Sequence, residues 1–127
     1  MKTFYSNGSE YIGKVALTFD DSPSKSTEKK LEILGEKNNV KASFFMLGIN
    51  VWKNPASAKA VVEAGHEIAN HTYRHINFYT YKDKDKTGKI EKELLHSGNI
   101  IIKEVTGVEP FLVRFPYGYS KPDAEKV

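Results

Sequence analysis

The chain has 127 residues, 39% of them hydrophobic, and a net charge of +3 carried almost wholly by lysines scattered among acids; this describes one globular domain with a solvated surface and no basic stripe for nucleic acid. With no cysteine, disulfides and thiolate metal sites are excluded, so any metal has to take imidazole and carboxylate ligands. No apolar run approaches the roughly 20 residues of a membrane span, and the first residues lack the apolar core of a signal peptide.

In chain order, Asn7-Gly8 tolerates positive φ at both positions and lies between Thr3–Tyr5 and Glu10–Ile12, which predicts a leading hairpin over residues 1–12. Val15-Ala16-Leu17-Thr18-Phe19 reads as a strand buried on both faces, ending at the acid pair Asp20-Asp21. Ser24 or Ser26 is expected to cap a helix running to Lys37, with Leu31 and Leu34 inward. Ala42–Leu47 is a second strand. Asn54-Pro55 opens another helix in the favoured cap-then-proline order, Val61 and Val62 face the core, and Gly65 stops it.

Glu67-Ile68-Ala69 is a third, very short strand leading into His71-Thr72-Tyr73-Arg74-His75. The Lys/Asp-rich run from Phe78 to Lys89 reads as a surface loop. Ile90, Leu94, Ile101 and Val105 then form a helical stripe stopped by Gly107, with Gly98 a defect of about 1 kcal/mol. Phe111-Leu112-Val113 makes a fourth strand ending at Arg114, and residues 119–127 form a tail. Strand and helix alternate, so the expected fold is α/β: a single domain over 1–127 with parallel strands joined by crossovers.

In such folds the C-terminal ends of the strands share one rim, so Asp20, Asp21, His71, His75 and Arg114 are expected to meet although they are distant in sequence. An i, i+4 pair of imidazoles closes on a small cation, a carboxylate completes three ligands with one position open, and the second carboxylate is free to act as a base. Each part alone has an ordinary explanation, as a loop acid, a chance histidine pair or a surface ion pair; their joint placement at strand ends favours the metal. His66 is expected to be a helix-end or core histidine and His96 a solvent-facing one. The zinc-protease pattern fails because Thr72 stands where glutamate is required. No nucleophile elbow, phosphate loop or dinucleotide fingerprint is present.

Thr18-Phe19-Asp20-Asp21-Ser22, His71-Thr72-Tyr73-Arg74-His75 and Arg114-Phe115-Pro116-Tyr117-Gly118 resemble, in order and spacing, the first three motifs of the polysaccharide deacetylases, the NodB-like carbohydrate esterase family 4. Ala42-Ser43-Phe44-Phe45 and Gly65–His71 are similar to that family as well, so the likeness runs from Lys14 to Gly118. It implies a partial, distorted (β/α) barrel of about four βα units and metal-dependent removal of N-acetyl groups from a polysaccharide. Asp21, His71 and His75 match the metal triad, for zinc or another divalent transition ion such as cobalt. Asp20 matches the general base and Arg114 the residue that orients it, which a planar fork suits. The backbone NH of Tyr117 matches an oxyanion donor, with Pro116 locking that turn beside the substrate.

Two departures qualify the match: Ser22 stands where the family usually has glycine, and the chain stops at Val127, before a tryptophan-containing groove wall and a late histidine that serves as general acid. Trp52 lies too early to be that wall. Losing the acid is expected to cost about 100- to 10,000-fold. A partial barrel is also expected to leave a sheet edge that pairs with a second copy, swaps an element or is covered by hairpin and tail. The implied substrates are N-acetylglucosamine units of peptidoglycan or chitin, or acetylated xylan, and the implied location is a bacterial cell wall or exterior. Tyr73, Tyr79 or Tyr81 is available to stack on a sugar ring.

The alternatives are a sugar- and metal-binding relative without turnover and, more remotely, a receiver-type signalling domain. The latter requires an aspartate after strand three, where His71 stands.

Overall fold

The computed structural model describes residue 5, residues 7–78 and residues 88–118. β1 (Thr18–Ser22), β2 (Ser43–Met46) and β3 (Glu67–Asn70) form a parallel sheet in the order β1-β2-β3. The chain between β1 and β2 forms α1 (Thr27–Leu31), continued by a π-helical stretch Glu32–Lys37. Between β2 and β3 lie α2 (Gly48–Lys53) and α3 (Pro55–Glu63). A long helical segment follows: α4 (Lys89–Glu91), π-helical Lys92–Ile102 and α5 (Lys103–Thr106).

The register explains the core. Phe19, Phe44 and Ile68 are side by side across the three strands, and alternation sends all three to one face. There Phe44 and Ile68 pack with Leu34, Val51, Ala58, Val61 and Ile102 from the helices. Burying a Phe or Ile side chain contributes about 1.5–3 kcal/mol, so this layer is the principal stabiliser of the sheet-helix sandwich.

Several expectations need correction. Val15 and Leu17 are exposed and precede β1, which begins at Thr18 and takes in both aspartates. The apolar run is therefore not a strand buried on both faces. Glu10–Ile12 forms turns, closed by Tyr11 N–H to the Gly8 carbonyl and Lys14 N–H to the Tyr11 carbonyl, so it supplies no hairpin strand; residues 1–4 and 6 lie outside the described residues. The fourth strand shrinks to a bridge, in which Asn70 N–H donates to Leu112 and Arg114 N–H donates to Asn70, with Phe111 exposed. The sheet thus has three strands among the described residues rather than four.

Helix α2 was not foreseen from the sequence; its six residues are too few for a period to register. Phe78, assigned to a surface loop, is fully buried against Phe115, Ile90 and Leu94. At the loop's other end Lys89 already begins α4, while residues 79–87 and the tail 119–127 lie outside the described residues. Gly98 is no defect: a Cβ there would meet the Asn70 Nδ2 at 2.7 Å, so only glycine lets the long helix approach β3 this closely.

Candidate metal centre

In a regular strand adjacent side chains point to opposite faces, which would separate Asp20 from Asp21. The pairing of β1 with β2 slips between Phe19 and Ser22, giving β1 one extra residue, a bulge that re-aims its side chains. Asp21 takes left-handed backbone there, with φ of 62°, and both carboxylates reach the same group of histidines. Asn50, on α2, donates from Nδ2 to the Asp21 carbonyl at 3.0 Å. Ser22 is buried, and its hydroxyl contacts the Phe45 carbonyl at 3.5 Å, so the bulge accommodates a side chain at the position where glycine is usual.

The two histidines come together through a loop, not through the helical turn that their spacing suggests. His71 follows β3 directly, Thr72 and His75 have φ of 75° and 61°, and the rings approach edge to face at 5.0 Å. Among the described residues, four of the five non-glycine residues with positive φ (Asp21, Thr72, His75 and Tyr117) surround this one site, and strain of this kind concentrates where function over-determines the backbone. The His71 Nδ1 lies 2.7 Å from the Arg114 carbonyl. A carbonyl only accepts, so Nδ1 carries the proton and Nε2 faces the site with its lone pair, as metal-ligating histidines are arranged.

The Asp21 Oδ1 lies 3.6 Å from the His71 Nε2 and 3.5 Å from the His75 Nε2, and the three ligand atoms all fall within 4.8 Å of one another. Two donors on one tetrahedral ion with bonds of about 2.0–2.1 Å stand about 3.3 Å apart, close to both carboxylate–imidazole separations, so the donor set suits a small divalent cation on which the two imidazoles, within 4.8 Å of each other, would close. Beside it, Asp20 Oδ2 stands 3.9 Å from His71 Nε2. Arg114 donates from Nη1 to Asp20 Oδ1 at 2.7 Å and to the Thr18 hydroxyl at 3.1 Å, with its guanidinium 3.9 Å above the Phe45 ring centre. Pro116 is buried at the start of a 3-10 turn (Pro116–Gly118), and the exposed Tyr117 ring lies edge-on to His75 at 4.8 Å. Every residue singled out from the motifs is thus on one rim.

His66 is not on it. Its ring is buried against Phe44, and Nδ1 accepts from Ala42 N–H at 3.1 Å. Burial and the neighbouring Lys41 hold its pKa below the ordinary 6.5. His96 is half-buried against Tyr73 rather than solvent-facing, which also occupies Tyr73; Tyr79 and Tyr81 lie outside the described residues. Sequence reasoning missed the polar residues that hold the histidine loop. Asn70 Oδ1 accepts from Thr72 N–H at 2.9 Å, and its Nδ2 donates to the Leu94 carbonyl at 2.7 Å. Glu93 and Ser97 also contact this loop. The available signal was Ser97, a polar residue sitting three positions after Leu94 on the apolar stripe.

Residues 8–127 match the model of the polysaccharide deacetylase family. A peptidoglycan-N-acetylglucosamine deacetylase of Bacillus cereus is 37% identical over 105 residues, covering 83% of this chain and 36% of its own length. The corresponding PgdA of Listeria monocytogenes is 34% identical, covering 90% and 24%. The solved Bc1960 peptidoglycan N-acetylglucosamine deacetylase is 36% identical with a TM-score of 0.78, over 87% of this chain and 50% of that one. A CE4 family pseudoenzyme from Bacillus anthracis, BA3943, is 28% identical with a TM-score of 0.74, over 87% and 38%. The chain therefore spans half or less of the length of these relatives. With the match running through all three motifs and their residues gathered on one rim, the chain belongs to the polysaccharide deacetylase family.

Proposed function

We propose that this chain is the metal-binding part of an enzyme that hydrolyses N-acetyl groups on an acetylated polysaccharide, with N-acetylglucosamine units of peptidoglycan as the substrate. One observation carries the reading: a carboxylate oxygen and two imidazole nitrogens converge within 4.8 Å, and a further carboxylate beside them is held by an arginine. The names of the relatives support peptidoglycan over chitin or xylan, and with it a cell-wall location; no helix among the described residues is long and apolar enough to cross a membrane. The parallel sheet supports reading residues 1–127 as one unit, a segment of a distorted (β/α) barrel.

Asp21, His71 and His75 are assigned as ligands of a divalent transition ion, zinc first, because imidazole with carboxylate and no thiolate suits it. Bound there, the ion would supply Lewis acidity to polarise the acetamide carbonyl and lower the pKa of a water towards about 7. Asp20 accepts the proton of the attacking water through Oδ2, since Arg114 occupies Oδ1. The Tyr117 backbone N–H donates to the oxyanion, and Pro116 fixes the turn that presents it. Collapse breaks the C–N bond, releasing acetate and an amine that takes up a proton. His66, buried against Ala42 and Phe44, is turned into the core and does not supply it.

That last point favours a second reading, a sugar- and metal-binding relative without turnover. Titration calorimetry with zinc and with N-acetylglucosamine oligomers, beside an acetate-release assay, separates the two. Acetate released with zinc and abolished by a chelator supports the enzyme; sugar and zinc binding without acetate supports the binder; absence of zinc binding overturns both. The edge of β1, which has no pairing partner among the described residues, and the exposed Val15 and Leu17 that lead into it support self-association through that edge.

A further inference from the structure

We propose that Glu93 is a positioning residue that sets the separation of the two imidazoles, an inference that rests on Asp21, His71 and His75 holding a divalent ion. Glu93 lies in the π-helical stretch Lys92–Ile102, on the side that faces the histidine loop, and is only 7% exposed. One carboxylate oxygen, Oε2, accepts from two consecutive backbone amides, Tyr73 N–H at 3.1 Å and Arg74 N–H at 2.8 Å. Consecutive amides converge on one acceptor only when the backbone between them is tightly turned, and these two lie within the four-residue step from His71 to His75. Four residues on, Ser97 donates from its hydroxyl to the Thr72 carbonyl at 2.9 Å. The long helix therefore grips the loop at two successive peptide groups, through the carbonyl and N–H of the one between Thr72 and Tyr73 and the N–H of the one between Tyr73 and Arg74, while Thr72 and His75 hold left-handed backbone that would otherwise relax.

Neither Glu93 nor Ser97 is within the ligand set, so their effect on the ion is indirect. Second-layer groups of this kind typically change metal affinity by about 10- to 100-fold. A merely structural anchor would change stability and leave the ion's coordination unaltered.

The test is zinc titration of the 127-residue chain, with cobalt(II) visible spectra as a second readout and amide hydrogen exchange at Tyr73 and Arg74 as a third. Glu93→Ala is expected to weaken zinc by about 10- to 100-fold, shift the cobalt bands and speed exchange at both amides. Glu93→Gln, which keeps an acceptor oxygen in place, is expected to recover most of the affinity. Zinc affinity and cobalt bands unchanged in Glu93→Ala overturn the inference. Should that variant not fold, Glu93→Asp, its carboxylate drawn back by one methylene, decides: unchanged affinity overturns, weakened affinity with shifted bands supports. His71→Ala binding zinc as tightly as the unsubstituted chain, or no zinc binding by either, overturns the metal site itself and is recognised separately.

Discussion

Asp20 and Asp21 are neighbours of the same chemical type, yet their surroundings differ. Asp21 faces two imidazoles, and Asp20 is held by Arg114, which is itself anchored on the Thr18 hydroxyl. Asp20→Asn is accordingly expected to lower the acetate-release rate by about 10²- to 10⁴-fold while calorimetry finds zinc affinity within a few-fold of the original. Loss of zinc binding instead would make Asp20 a ligand. His66 offers a test independent of the metal. Its pKa is held down by burial and Lys41, so below about pH 6.5 the unfolded chain binds a proton that the folded chain resists. Its contribution to stability is complete above that pH and declines as pH falls. Urea midpoints at pH 7.5 and pH 5.5 are expected to differ less in His66→Phe than in the unsubstituted chain; an equal or larger difference would count against the assignment.

At the scale of elements, close approach decides what propensity would get wrong. Alanine in place of a helical glycine gains about 1 kcal/mol on propensity. At Gly98 the added Cβ would press on an Asn70 side chain already bonded to Thr72 and Leu94. Overpacking of this sort costs about 1–3 kcal/mol, so Gly98→Ala is expected to destabilise in thermal melts and to weaken zinc as well, because Asn70 supports the loop. A stabilised variant would refute the close-packing account. In the core, Phe44 is fully buried between Phe19 and His66, and Phe44→Ala should cost about 3–5 kcal/mol in denaturant unfolding.

For the molecule as a whole, the candidate metal site lies at one end of a sheet whose core is built elsewhere, from Phe44, Val51, Val61 and Ile102. Chelation is therefore expected to leave the helical circular dichroism intact, while zinc at 100 times its Kd raises stability by about 2.7 kcal/mol. Unfolding on chelation would mean that the site organises the fold. The edge of β1, unpaired among the described residues, predicts a dimer or larger species in size-exclusion chromatography with light scattering, and a compact monomer would contradict it.

By itself, the sequence determined the alternation of strands and helices, the identity of the motif residues and the family they resemble, because periodicity, caps and short motifs are local properties of the chain. It did not locate α2, whose single short turn leaves no period, nor the burial of Phe78, which depends on Phe115 arriving from 37 positions away. The spacing of His71 and His75 pointed to the right partners for the wrong reason, since a strained loop and not a helix joins them. Tertiary structure alone decided that two adjacent aspartates face one site, through a bulge in register against β2. It also decided that Asn70, Glu93 and Ser97 hold the loop. Both depend on hydrogen bonds between segments distant in sequence, whose partners are selected only when the sheet and the long helix pack together.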